Sequence, residues 1–211
     1  MAIDHLLDEH EQGERVRGWL RENGGGLLTG ILLGLALILG WQWWQQQRAN
    51  KRLQAGNDFQ AAAEALQAGK TDVAQARIAA LPEGTYRTLA QLALARAQVQ
   101  AGKRDEAIAT LRGVKADSPE LAGVVRNRLA RLLVDAGQAK EALALLEGAA
   151  GDPLVAVVRG DAHAALGQRA EARAAYEQAL VGLAVGSPLR NLVEFKLIDA
   201  GGTPANPEAR S

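Results

Sequence analysis

GKTDVAQARI at Gly69–Ile78, GKRDEAIATL at Gly102–Leu111, GQAKEALALL at Gly137–Leu146 and GQRAEARAAY at Gly167–Tyr176 are versions of one pattern. Each opens on Gly and has Ala five residues on (Ala74, Ala107, Ala142, Ala172). Nine residues on comes a larger apolar side chain (Ile78, Leu111, Leu146, Tyr176). The glycines are 33, 35 and 30 residues apart. Self-similarity at a period of about 34 residues marks a chain of stacked helix–turn–helix units, none of which buries its apolar face alone. The Gly closes a first helix in a left-handed conformation that carries no side-chain penalty. The Ala lets the second helix approach the first, and the larger residue fills the space between them.

Outward from these segments, Leu89–Gln100, Val124–Ala136 and Leu154–Leu166 read as first helices. Asp105–Arg112, Ala139–Glu147 and Arg169–Val181 read as second helices. Glu106, Glu141 and Glu171 fall near second-helix starts, where the helix dipole favours negative charge. Breaks at Pro82, Pro119 and Pro153 fall between repeats, as a helix stop requires. The Gly and small-residue positions match the tetratricopeptide pattern. The usual Trp and Tyr of the first helix are mostly absent, so the units are divergent.

Composition agrees with an all-α chain. Hydrophobic residues are 48% and aromatics only 4%, with Ala and Leu dominating; these are strong helix formers, whereas strands favour branched and aromatic residues. The formal net charge of zero hides an asymmetry. Asp4, Asp8, Glu9, Glu11, Glu14 and Glu22 oppose only Arg15, Arg17 and Arg21 in residues 1–25, so the rest is net +3. Neither part has the concentrated basic face that nucleic-acid binding needs. The chain has no Cys, which excludes disulfides, thiolate catalysis and Cys-based zinc sites.

Before the repeats, Asn23–Gln47 carries no charge, and Leu27–Trp44 (LLTGILLGLALILGWQWW) is mostly apolar. Eighteen helical residues span roughly 27 Å, close to the ~30 Å hydrocarbon core of a bilayer. Trp41, Trp43 and Trp44 gather at one end, where indoles prefer the membrane interface. A cleaved signal peptide would need a short basic start and small residues at a cleavage site. Here an acidic stretch precedes the run and Trp-Gln-Trp-Trp ends it, so the segment reads as an uncleaved anchor. Arg15, Arg17 and Arg21 on one side balance Arg48, Lys51 and Arg52 on the other. Counting basic residues therefore leaves the orientation open. Gly26, Gly30 and Gly34 recur every fourth residue and offer one face on which another helix can pack closely. The expected layout is an acidic N-terminal segment (1–25), a transmembrane helix (26–46), tetratricopeptide-like repeats (47–200) and a disordered tail (201–211). Segment 48–68 is expected to carry the membrane helix into the first repeat.

Catalytic patterns are missing. His5 and His10 do not share a helical face, and no zinc spacing occurs. His163 reads as a hydrogen-bonded structural residue. Gly24-Gly25-Gly26 follows no strand, so it reads as a hinge or helix start rather than a dinucleotide loop. Neither a cofactor nor a small-molecule substrate is expected; binding remains. Arg87, Arg96, Arg126, Arg128, Arg131 and Arg159 lie on or near the first helices, which line the concave surface of such a stack. They are candidates for holding acidic or C-terminal protein segments, against the plainer reading of solvated helix residues.

The joined features resemble the YfgM family, the ancillary subunits of the bacterial SecYEG translocon. The resemblance covers roughly residues 10–200. It rests on Trp-Leu-Arg-Glu-Asn-Gly (Trp19–Gly24) running into a Gly-rich span, on the divergent repeats, and on LVEFKLID (Leu192–Asp199). It implies an inner-membrane protein with a cytoplasmic N-terminus and periplasmic repeats. It implies partners in the translocon, in a PpiD-like chaperone and in translocating clients, and a cytoplasmic response regulator at the N-terminal segment. The implied role is helping newly translocated proteins reach periplasmic chaperones. The chain departs from the pattern in a longer N-terminal stretch holding His5 and His10. Two other readings share the architecture: a scaffold for envelope assembly or cell division, and an adaptor facing the cytoplasm.

Overall fold

The computed structural model describes residues 4–149 and 151–204. The tail beyond residue 204 and the side chains of His5 and His10 lie outside the described residues. Among those described, every regular element is an α-helix: α1 (Asp4–Gln67), α2 (Thr71–Ala80), α3 (Thr85–Gln100), α4 (Arg104–Arg112), α5 (Pro119–Asp135), α6 (Ala139–Leu145), α7 (Pro153–Ala165), α8 (Arg169–Gly182) and α9 (Pro188–Asp199). The chain divides into two compact units, residues 1–54 and 55–211.

The first unit is helix. Within α1, the stretch from Arg17 onward is long and apolar enough to cross a membrane, and its apolar window is not buried by protein. Gly24-Gly25-Gly26 lies inside this helix, so the hinge or helix start expected there is absent. The Gly residues cause no break because the backbone ladder continues on both sides; Thr29 adds a hydroxyl bond to the Gly25 carbonyl (2.8 Å).

In the second unit the helices pair as the repeat pattern implies. The end of α1 pairs with α2, α3 with α4, α5 with α6 and α7 with α8. Gly69, Gly102, Gly137 and Gly167 all have φ between 70° and 76°. At each, two backbone bonds close the helix in the same way: at Gly102, for example, the Gly102 N–H donates to Val99 O and the Lys103 N–H to Gln98 O. This is the Schellman closure, for which a left-handed Gly is the favoured residue. Gly201 (φ 83°) repeats it after α9, with the Gly202 N–H donating to Leu197 O. Gly201 and Gly202, placed in the expected tail (201–211), instead close a helix.

Three prolines start helices. Pro119, Pro153 and Pro188 each occupy the first turn of α5, α7 and α9, where a missing N–H costs nothing. Ser118 Oγ, Asp152 Oδ1 and Ser187 Oγ accept the N–H of Leu121 (3.2 Å), Leu154 (2.8 Å) and Arg190 (3.2 Å). Together, cap and Pro move these first helices earlier than apolar periodicity alone suggests. Second helices lack such side-chain caps; they carry acids in the first turn instead, Asp72, Asp105 with Glu106, Glu141 and Glu171.

Ala74, Ala107, Ala142 and Ala172 are buried, as are Ile78, Leu111, Leu146 and Tyr176. All but Ala74 join three apolar clusters: Ala62, Ile78, Leu81, Ala90 and Leu94 among the end of α1, α2 and α3, a central cluster around Leu129, Leu133 and Leu146, and a last one around Tyr176, Val193 and Leu197. Burying each large side chain contributes about 1.5–3 kcal/mol.

Candidate partner-binding face

First helices α3, α5 and α7 form one side of the stack, and two hollows run along it. One, of about 750 Å³, lies between α3 and α5 with Leu89, Leu92, Val99 and Val124 in its walls and Arg96, Arg128 and Arg131 at its edge. The next, of about 530 Å³, lies between α5 and α7 and includes Glu120, Asn127, Asp152 and Leu154. Val124, Arg128 and Arg131 belong to both, so the two form one furrow. Leu89, Val99, Val124 and Leu154 are exposed in it.

The structure divides the six arginines singled out above. Arg96, Arg128 and Arg131 are exposed on the furrow and form no ion pair among the described residues. Arg87 and Arg159 are half-buried and face the other way. Arg87 Nη1 donates to Leu81 O (3.3 Å) and Arg159 Nη2 to Leu146 O (2.6 Å), the C-terminal carbonyls of α2 and α6. Each guanidinium meets the negative end of a helix dipole; at Leu146 it shares the carbonyl with the Ala149 N–H (3.2 Å). These two are taken out of the partner-binding set for that reason. Arg126 opens on a separate hollow of about 470 Å³ among α4, α5 and α6, beside the Arg112–Glu141 ion pair (2.6 Å).

Sequence reading missed Asn127. Its Nδ2 is buried in the furrow wall with no hydrogen-bond partner among the described residues. An unmade donor of this kind costs about 1–3 kcal/mol. Glu120, at the same end, is held below the usual carboxylate range by its own backbone N–H and by the Ser118 hydroxyl. It therefore stays ionised and marks the acidic limit of the furrow.

His163 Nδ1 lies 2.7 Å from Gln168 Oε1, across the α7 closure. Tyr176 is more than core filling: its hydroxyl donates to Asp161 Oδ1 (2.8 Å), which also takes a bond from Lys196 Nζ (2.6 Å). Burial, then the Asp161 carboxylate, push the phenol above its ordinary value. Among the described residues, no group of three or more His, Asp or Glu is arranged to hold a metal ion.

On the membrane helix, Trp41, Trp43 and Trp44 are exposed. The Trp41 and Trp44 rings are 5.2 Å apart, and the Arg48 guanidinium lies 3.7 Å from the Trp44 ring centre. A methyl group added at Gly26, Gly30 or Gly34 would meet nothing within 4 Å, so that face is open.

The tetratricopeptide repeat-like domain pattern matches residues 17–202. The ancillary SecYEG translocon subunit of Escherichia coli is 33% identical over 177 residues, covering 81% of this chain and 86% of that one. The chain belongs to this family. The ancillary SecYEG translocon subunit of Haemophilus influenzae is 26% identical over 55 residues, 26% of this chain and 27% of that protein. Among solved structures, the nearly identical TPR-like repeats described as a Podosopora anserina kinesin light chain superpose with a TM-score of 0.51 at 23% identity, over 71% of this chain and 85% of that one. That likeness is one of fold. The family match reaches back to Arg17, so it takes in the membrane-helix segment together with the repeats.

Proposed function

We propose that this chain is a membrane-anchored protein-binding scaffold that works beside the SecYEG translocon and helps newly translocated proteins reach periplasmic chaperones. The relationship to the E. coli ancillary SecYEG translocon subunit, extending through anchor and repeats alike, carries this reading. In it, the N-terminus lies in the bacterial cytoplasm, α1 crosses the inner membrane, and the repeats lie in the periplasm. The glycine face of Gly26, Gly30 and Gly34 meets a partner helix within the membrane, and Trp41, Trp43 and Trp44 sit at its interface.

The furrow supplies the binding. Leu89, Val99, Val124 and Leu154 suit apolar residues of an extended segment, and Arg96, Arg128 and Arg131 suit carboxylates beside them. Anchoring such a face beside a channel exit raises its effective concentration toward emerging chains, so weak contacts suffice. A PpiD-like chaperone is the expected recipient.

Affinity purification of the tagged chain from gently solubilised membranes tests the reading, with a Gly30→Ile, Gly34→Ile variant alongside. The expected result is recovery of translocon subunits and a PpiD-like protein, weakened in the variant. Recovery of cell-wall or division proteins without the channel refutes the translocon role. A Cys at Pro204, labelled by a membrane-impermeant reagent in intact spheroplasts, reports periplasmic repeats; protection there reports the cytoplasmic adaptor instead.

A further inference from the structure

Helix α9 ends the stack. Its inner face, Val193, Leu197 and Ala200, is buried in the last apolar cluster. Its outer face is made of Pro188, Asn191, Leu192, Phe195, Ile198 and Asp199. Leu192 is 49% exposed, Phe195 65% and Ile198 53%. Terminal units of repeat stacks need a polar outer face to stay soluble. Four of these six residues are apolar instead.

The order of residues on this face specifies what can cover it. When two copies of a helix pair antiparallel about a two-fold axis, a residue lying k positions after the axis meets the second copy's residue k positions before it. With the axis at Phe195, Leu192 meets Ile198 and Asn191 meets Asp199, where the amide donates to the carboxylate. Each of these contacts occurs twice. We propose that the outer face of α9 is a self-association surface that pairs two copies of this chain, antiparallel and centred on Phe195.

Six residues a side fall well short of the roughly 20–30 of a standard stable interface. The pairing is therefore weak for molecules free in solution. Confinement of both copies by a membrane anchor raises their local concentration and makes it effective.

The absence of Cys makes disulfide trapping clean. Full-length single-Cys variants are oxidised in their native membrane and resolved by non-reducing electrophoresis. Phe195→Cys is expected to give a dimer with itself. Leu192→Cys and Ile198→Cys, co-expressed, are expected to cross-link to each other far more than either does alone, because the axis separates like from like. Asn191→Cys with Asp199→Cys keeps Phe195 in place and is expected to cross-link too. Adding Phe195→Asp to that pair should cut the cross-linked fraction at least about tenfold, as loss of a central aromatic anchor does. Equal cross-linking of Leu192→Cys with itself, equal cross-linking of a Val124→Cys control, capture of a different protein at Phe195→Cys, or a Phe195→Asp variant that cross-links unchanged would each overturn the pairing. Absence of cross-links in both Phe195→Cys and the Asn191→Cys, Asp199→Cys pair would overturn it as well.

Discussion

Gly160→Ala tests the packing logic of the repeats most directly. Gly160 is buried in the middle of α7, a helix interior where Ala is normally about 1 kcal/mol better than Gly. If propensity decided, the variant would gain stability. The structure sets a larger effect against it. A methyl group at Gly160 would stand 2.5 Å from Tyr176 Cδ1 and nearer still to Cε1, where ordinary carbon contacts are about 3.5–4.0 Å. The ring cannot swing freely, because its hydroxyl is bonded to Asp161 and it is packed with Val193 and Leu197. Overpacking of this kind costs about 1–3 kcal/mol, and displacing the ring also weakens a bond to a charged acceptor worth about 1.5–3 kcal/mol. The net expectation is a loss of about 1–3 kcal/mol. The same variant in a Tyr176→Leu background supplies the control, since Leu stands at this position in the second and third repeats. Tyr176→Leu alone opens a cavity over Gly160; Gly160→Ala then fills part of it. Urea unfolding of the full-length protein in micelles, followed by far-UV circular dichroism, gives the four corners of the cycle. A coupling of at least about 1 kcal/mol is expected for residues in contact. Gly160→Ala that stabilises the protein, or a cycle additive within about 0.5 kcal/mol, refutes the argument.

Three further expectations use the same assay. Gly102→Ala should lose about 1–2 kcal/mol because its φ of 75° is left-handed although the added methyl touches nothing, whereas Gly123→Ala, also unobstructed but with ordinary helical φ, should gain up to about 1 kcal/mol. Tyr176→Phe should cost about 1–2 kcal/mol at neutral pH through the lost Asp161 bond. Burial raises the folded-state pKa of Tyr176 above its ordinary 10.0, so this contribution is complete below pH 10.0 and declines as pH rises beyond it; the gap between wild type and Tyr176→Phe should narrow in alkali, and a gap that widens there contradicts the reading. Arg159→Met should destabilise by about 1–2 kcal/mol by removing the charged bond to the Leu146 carbonyl, which keeps only the 3.2 Å bond from the Ala149 N–H, while Arg131→Met should leave stability unchanged and weaken partner capture instead.

The helical class and the register of the repeats were legible because both rest on local chemistry. A left-handed Gly, an Ala and a large apolar residue recur in fixed order, and each is needed by backbone or neighbour geometry. One further position carries the same signal. Seven residues before each Gly stand Ala62, Ala95, Ala130 and Gly160, all buried where the two helices of a pair meet. The one Gly in this series belongs to the repeat with the one Tyr, so small and large compensate within the sequence itself. Pro82 follows the end of α2 as a stop does, but Pro119 and Pro153 misled in sense: Ser-Pro and Asp-Pro are start signals, and the cap residue before each Pro distinguishes a start from a stop. The arginines could not be sorted from sequence. Whether Arg159 faces the furrow or the Leu146 carbonyl depends on how α6 and α7 pack, and residue type alone does not encode that.

Helix α9 presents the converse problem, because it is apolar on two sides. Val193, Leu197 and Ala200 form one stripe and Leu192, Phe195 and Ile198 the other, so hydrophobic burial alone leaves the choice of inner face close to even. Polar bonds decide it. Arg190 Nη1 donates to the carbonyls of Leu180 (2.8 Å) and Leu183 (2.9 Å) at the end of α8, and Lys196 Nζ reaches Asp161 on α7. Turning α9 over would break all three and leave Asp161 with Tyr176 alone. At about 1.5–3 kcal/mol for each charge-assisted bond, this exceeds any difference between the two stripes. Charged residues beside the inner stripe thus act as orientation keys, and they fix the Leu192, Phe195 and Ile198 side outward where burial alone could have placed it within.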